Sequence, residues 1–400
     1  MRRHLQPTVL LAYAAFILVG MSTGVGGVLL LAQIGDYHVD RATIGITFFI
    51  GSAGFVLGGI GSGPLIDRFG YRIALATGAG AFVLSGLYLA TRPPFVAFLL
   101  VQLVVGFAGG TLESVLNAYI AAIPDSTTLL NHLHAYFGVG ALIGPVLATW
   151  IVGFSPWTTV YLVLASVCVP LLAGFLFGYP RSQSPDPGSQ HKAGGLLGPT
   201  LRERGVLLGS TMLAVYVGLE IGVGTWAYSY LVQARGLPDI VAGTAVGGYW
   251  FGLTVGRFII SPIAGRLGMT PVAMIYVCLA GVAGTAALAW LAPIAALAVA
   301  ALVLLGFFLG PIFPTTMAMT PQLTTPRLVP TAMGIMNAGS VGGASVAPWL
   351  AGVIAQGAGP WTLLPFAMVL AVLQLIVWRL IAQLVRTPEP VLAPPSGQPD

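Results

Sequence analysis

The chain has 400 residues, of which 57% are hydrophobic and 7% charged, with a mean hydropathy of +0.93. A soluble domain carries about 25% charged residues, so a water-covered surface is excluded and most of the surface must face lipid. The net charge of +5 comes from arginines lying mainly between apolar runs, which makes it a topology signal and not a nucleic-acid footprint.

A membrane-spanning helix takes roughly 20 apolar residues. Twelve spans are predicted: 8–31, 43–66, 73–91, 94–121, 130–153, 157–178, 205–232, 239–265, 270–291, 293–320, 328–356 and 360–386. The Met-Arg-Arg-His start runs directly into the first apolar stretch, which reads as a span and not as a cleaved signal. Charge or helix breakers mark most joints: Asp36 to Arg41, Asp67 to Arg72, Arg92-Pro93-Pro94, Pro124-Asp125, Pro156 and Pro238-Asp239. The joints near Pro293 and Gly359-Pro360 are very short. The predicted organisation is an N-terminal six-helix bundle over 1–178, a cytoplasmic linker over 179–204, a C-terminal six-helix bundle over 205–386 and a Pro-rich, disordered cytoplasmic tail over 387–400. Cys168 and Cys278 both lie inside apolar runs, which argues against a disulfide or a metal site.

With the N-terminus inside, eleven Arg and Lys residues fall in inner loops and three, Arg41, Arg92 and Arg235, in outer ones. The positive-inside bias predicts that both termini are cytoplasmic. Short loops and the absence of a large ectodomain point to a bacterial inner membrane.

The second half repeats the first at an offset near 200. Gly106-Phe107 aligns with Gly306-Phe307, Leu31-Ala32-Gln33 with Leu231-Val232-Gln233, and Gly144-Pro145 with Ala347-Pro348. The stretch from Gly63 to Gly70 aligns with Ser261 to Gly268. Parallel halves related by an axis along the membrane normal place substrate near the midplane between them. The fold class predicted is an all-α membrane protein of twelve helices in two pseudo-symmetric six-helix bundles.

Chemistry is expected where the repeat breaks. Glu113 aligns with Phe313, Asn117 with Met317, Glu220 with Gly20 and Arg257 with Gly59. An acid at membrane depth is costly and commonly serves a cavity or a proton path, so Glu113 and Glu220 are the candidates for coupling and substrate binding. Asn117, four residues after Glu113, shares its helix face; the pair suits sugar hydroxyls or a proton, or else contacts a neighbouring helix. Trp226, close to Glu220, offers a face for a pyranose ring. His134 sits at the depth of Glu113 on the next, antiparallel helix, where it either tunes Glu113 or serves packing alone. Asn337 is its equivalent in the second half. Trp250 either lines the cavity or faces lipid. Arg257 needs a partner or water and either closes an inner gate across the two halves or snorkels to the surface. Asp67, Arg68 and Arg72 end the second span, as a latch between helices or as simple positive-inside residues.

Gly63-Pro-Leu-Ile-Asp67-Arg68-Phe-Gly70-Tyr-Arg72 resembles the signature loop of the major facilitator superfamily, and the whole chain is similar to that superfamily. Within it, Leu112-Glu113-Ser-Val-Leu-Asn117-Ala-Tyr119, Leu130 to Pro145, Gly252-Leu-Thr-Val-Gly256-Arg257 and Gly310-Pro311-Ile-Phe313-Pro314-Thr315 resemble the fucose–galactose–proton symporter family of sugar permeases. The resemblance implies hexose or deoxyhexose uptake, commonly with a proton, and a protonation and sugar-binding role for Glu113. The helix 1 acid of fucose permeases is missing from Ser22 to Leu29, and Glu220 is its expected replacement. The expectation is a monomeric, proton-coupled sugar transporter working by alternating access, with sodium as the other coupling ion. A drug or metabolite exporter of the same fold and a non-transporting sugar sensor are the alternatives. No phosphate-binding loop, zinc motif or cofactor signature is present, so neither an enzyme nor an ATP-driven pump is expected.

Overall fold

The structure, a computed structural model, describes residues 7–123, 126–179 and 196–385. In chain order it contains α1 (Pro7–Tyr37), α2 (Arg41–Ile44), α3 (Ile46–Ala90), α4 (Phe95–Ala121), α5 (Ser126–Val152), α6 (Thr158–Gly178), α7 (Leu197–Arg202) and α8 (Arg204–Ser229). These are followed by α9 (Asp239–Arg266), α10 (Pro271–Leu291), α11 (Ala295–Leu309), α12 (Ile312–Ala318), α13 (Thr320–Leu323), α14 (Val329–Ala358) and α15 (Leu363–Leu384). A π turn, Tyr230–Ala234, closes α8. No strand occurs among the described residues, as expected where a lipid-embedded backbone must satisfy its own hydrogen bonds. The predicted tail lies outside the described residues, and of the predicted linker only Tyr179 and the stretch from Leu196 on are described.

Ten stretches are long and apolar enough to cross a membrane. One of them, Arg41–Ala90, contains α3, whose 45 residues would extend about 67 Å as a straight helix, twice the hydrocarbon core. It is two spans joined at Gly70, whose φ of +77° suits glycine and breaks the helical path. The 28-residue α9 supplies a further span, which restores the predicted twelve. The short joints are real breaks: Ala292 and Ile294 leave helical geometry between α10 and α11, and Gly359 (φ +102°) ends α14. The tenth predicted span is one apolar stretch, Ala295–Ala318, with a local break in helical hydrogen bonding at Gly310 and Pro311 between α11 and α12.

The repeat seen in the sequence is a repeat of packing. In the first half α1 packs on α5 and α3 on α4; in the second α8 packs on α14 and α9 on α11. The crossings use corresponding glycines. A Cβ at Gly106 would lie 1.9 Å from the Gly51 carbonyl oxygen, and one at Gly306 2.1 Å from that of Tyr249. Gly54 meets Leu103 as Gly252 meets Val303, and Gly140 meets Ile17 as Gly343 meets Ala214. Without a hydrophobic drive between helices in lipid, such close backbone approach supplies the packing energy.

Candidate functional site: a cavity between the two halves

Among the described residues, the close contacts between the two halves concentrate toward one face of the molecule. Call the face where α1 begins and α15 ends the terminal face. Gly27 of α1 meets Gly224 and Thr225 of α8, and Phe49 of α3 meets the Trp349 ring of α14 at 5.8 Å. Gly243 of α9 meets Thr149 of α5. All these positions lie toward the far face. Arg41 joins the halves there twice: Nη2 donates to Gln233 Oε1 at 2.6 Å, and its backbone N–H donates to Gln356 Oε1 at 3.1 Å. Nearer the terminal face, the last close glycine contact between α5 and α9 is Gly138 against Thr254. Asn131, His132, His134 and Asn337, all beyond that level, are exposed.

A cavity of about 520 Å³ lies between the halves, within the roughly 300–1,000 Å³ of small-molecule sites. Glu113 lines it from α4, together with Gln102 and Gly109. Ser22 and Thr23 contribute from α1, Thr47, Ser52 and Phe55 from α3, and Phe137 from α5. The second half contributes Val217 and Ile221 from α8, Phe313 from α12, and Asn337 and Ser340 from α14. The cavity is therefore mostly apolar and aromatic, with one carboxylate and a scatter of amides and hydroxyls. Glu113 takes no side-chain hydrogen bond or ion pair among the described residues.

Of the residues singled out in the sequence, Glu113, Phe313 and Asn337 are brought to this cavity. The Asn117 amide turns back and donates to the Glu113 backbone carbonyl at 2.8 Å, so it does not line the cavity beside the carboxylate. His134 packs edge-on against Phe16 of α1 at 5.6 Å, without the contact to Glu113 that its depth had suggested. Glu220 is buried behind the wall and pairs with Arg257, Nη2 to Oε1 at 3.4 Å. Arg257 thus turns inward instead of snorkelling, and its partner lies in its own half. Trp226 is no stacking platform in this conformation, because its indole N–H donates to the Pro348 carbonyl at 2.8 Å and its ring covers Gly352. Trp250 is buried against Gly224, facing neither lipid nor the cavity. At the terminal face Asp67 and Arg68 are exposed, Arg68 lying over the Phe69 ring at 5.2 Å, and Arg72 is half-buried.

Two residues absent from the sequence reading complete the buried pair. Tyr216, four residues before Glu220 and hence on the same helix face, donates to the Leu309 carbonyl at 3.1 Å and lies beside Glu220 and Arg257. Tyr249 donates to the Glu220 backbone carbonyl at 2.9 Å. The spacing to Glu220 was a readable signal for Tyr216. Nothing in the sequence marks Tyr249, whose contact spans 29 residues.

The family model of the Major Facilitator Superfamily matches residues 11–243 and 223–400. Over 409 residues the chain is 24% identical to Bypass of stop codon protein 6 of Saccharomyces cerevisiae, covering 93% of this chain and 81% of that protein. It is 22% identical to the glucose/mannose transporter of Bacillus subtilis over 66% of this chain and 67% of that protein. It is 26% identical to the 4-hydroxybenzoate transporter of Pseudomonas aeruginosa over 44% of this chain and 40% of that protein. Among solved structures, a bacterial homologue of the human lysosomal transporter Spinster, inward-facing and unoccupied, superposes with a TM-score of 0.78 at 12% identity, covering 97% of this chain and all of that one. The fucose:proton symporter of E. coli superposes with a TM-score of 0.63 at 17% identity, covering 96% of this chain and all of that one. With twelve spans in two repeated halves and a cavity between them, the chain belongs to the Major Facilitator Superfamily and is a multi-pass membrane transporter of a small molecule.

Proposed function

We propose that the chain moves a hexose or deoxyhexose across a bacterial inner membrane, coupled to protons, by alternating access, and that it works as a monomer with both termini cytoplasmic. The observation that carries this reading is Glu113. It is a carboxylate at membrane depth with no hydrogen-bonding partner for its side chain among the described residues, on the wall of a cavity that also offers Gln102, Asn337 and several hydroxyls. Such a group is costly unless it exchanges a proton or binds a ligand. Aromatic faces at Phe55, Phe137 and Phe313 beside polar donors and acceptors suit a ring with hydroxyl edges. The sugar-transporting relatives support the same class of substrate.

The bundles are assigned to 1–178 and 205–386. The Arg and Lys bias makes the terminal face cytoplasmic, so the cavity opens inward. Asp67, Arg68 and Arg72 at that face act as the latch that forms when it closes. The test is uptake of a labelled sugar panel into proteoliposomes with and without an inward proton gradient. The reading expects gradient-driven accumulation of one sugar, and Glu113→Gln should abolish it while leaving counterflow exchange. Accumulation that persists in Glu113→Gln overturns the proton role; no sugar flux at all overturns the substrate class.

A second reading is favoured by the concentration of Phe48, Phe55, Phe82, Phe137 and Phe313 around the cavity. These rings suit an aromatic or lipophilic cargo, and a hydroxybenzoate transporter is among the relatives. The same vesicles loaded with an aromatic acid or a lipophilic cation decide between them.

A further inference from the structure

Arg257 is a half-buried cation held by a long ion pair. Its one ion pair among the described residues, to Glu220, measures 3.4 Å, and its Nε is buried without a partner. A guanidinium has five donors in a fixed fork and keeps its charge; here it is shared between Glu220 and the Tyr216 hydroxyl, with Nε left over. The groups around it are Glu220 and Tyr216 on α8, Tyr249 on α9, His134 on α5 and Glu113 on α4, and its charge acts on all five.

Helix geometry brings the last two close. α5 and α9 run antiparallel and meet where a Cβ at Gly138 would lie 2.1 Å from Thr254 Oγ1. His134 and Arg257 each lie about one turn from that crossing, both toward the terminal face. Glu113 lies eight residues before the end of α4 and Arg257 nine before the end of α9, which places both about 12–14 Å below the terminal face at 1.5 Å per residue. The two belong to opposite halves and stand at one level of the opening.

We propose that Arg257 is a counter-ion shared between the halves, pairing with Glu220 while the terminal face is open and with Glu113 when that face closes. The single positive charge then neutralises one carboxylate at a time, and the other becomes the site that takes a proton. Closure brings the halves together on the terminal side, the direction in which Arg257 and Glu113 must approach. Arg257 is a positioning residue in this scheme and does not line the cavity. The inference rests on the alternating-access part of the proposed function and not on the sugar.

The test therefore uses no substrate. Phe69 and Leu267 are exposed, lie in different halves at the terminal face and correspond in the repeat. Both are replaced by cysteine for spin labels in full-length protein whose buried Cys168 and Cys278 are replaced by alanine, and inter-label distances are measured in liposomes. Glu220→Gln releases Arg257 toward Glu113 and should raise the short-distance, closed population by about tenfold, the factor that roughly 1.4 kcal/mol gives. Glu113→Gln should lower it by a similar factor, and Arg257→Lys should keep the direction of both shifts. Equal populations in all variants, or shifts of one sign, overturn the proposal. Should Glu220→Gln fail to fold, Glu113→Gln decides alone, because the Glu113 side chain has no hydrogen-bonding partner to lose among the described residues; an unchanged closed population in that variant overturns the proposal. A missing sugar flux with opposite shifts would leave this inference standing and remove only the substrate assignment.

Discussion

Arg41 of the first half reaches across the far face to Gln233 of the second, Nη2 to Oε1 at 2.6 Å, and that glutamine belongs to the π turn that ends α8. Ser229 donates to the same oxygen at 3.1 Å, fixing the acceptor. Hydrogen bonds to a charged donor contribute about 1.5–3 kcal/mol when shielded and less when exposed, and this one is exposed. Arg41→Ala is expected to cost about 1 kcal/mol of far-face closure, a several-fold rise in the far-open population. Spin labels at Val96 and Ile294, exposed positions in opposite halves near that face, would report longer distances. Unchanged distances would mean that the apolar contacts at Trp349 hold the face alone.

Asp40 caps α2, its Oδ1 accepting from the Thr43 backbone N–H at 2.7 Å. That bonding holds its carboxyl below the ordinary aspartate value. A depressed folded-state pKa gives stability that is present above the unfolded value, about 3.9, and lost as pH falls through the folded one. Acidification below about 4 should fray α2 and loosen Arg41, which begins it. Asp40→Ser, a cap without a titrating group, should remove the acid sensitivity of the far-face distance. Retention of that sensitivity would place its origin elsewhere.

Two glycines, one at a helix crossing and one at the cavity, should behave oppositely. A side chain at Gly306 would strike the Tyr249 carbonyl, so Gly306→Val should cost about 3 kcal/mol or more and lower the melting temperature in detergent. Gly109 lines the cavity with nothing within 4 Å of an added Cβ. Gly109→Val should leave the melting temperature nearly unchanged while reducing transport by filling the site.

Asp36 accepts from Arg92 and from the Trp157 indole N–H, the latter at 2.9 Å, tying the end of α1 to the α3–α4 joint and to the start of α6. Asp36→Asn removes the charge and is expected to cost about 1–2 kcal/mol, since the carboxylate is partly buried and holds two partners. A thermal shift in detergent measures it. Trp157→Phe should account for part of the same loss, and the double variant should lose less than the sum.

The scaffold was legible because lipid enforces simple rules. Apolar length gives spans, and glycines spaced alike in both halves give the crossings, as Gly106 and Gly306 do. The α9 span was readable by eye but falls outside the ten clearly apolar ones, with Arg257 and many small residues diluting its hydropathy. The site was legible only in part. Glu113 stood out by its cost in lipid, whereas its helix-mate Asn117 spends its amide on the Glu113 backbone, a rotamer choice that spacing does not encode. The 37 residues between Glu220 and Arg257 hide a pairing of adjacent helices. Trp226 reads as a surface for a ligand until the carbonyl of Pro348 is seen to claim its N–H.

The glycine crossings also decide where the molecule is stiff. At Gly106, Gly306, Gly140 and Gly343 the nearest atoms across the crossing are main-chain oxygens, which no change of rotamer can withdraw. Each helix pair built that way resists shear and carries load as one beam. At the seam Gly27 and Gly247 likewise meet main-chain oxygens, of Gly224, Thr225 and Leu142, whereas Gly138, nearest the terminal face, meets the side chain of Thr254, which can turn about χ1. The seam is thus firm toward the far face and yielding at its terminal end, the mechanical arrangement of a hinge set to one side of two stiff bodies.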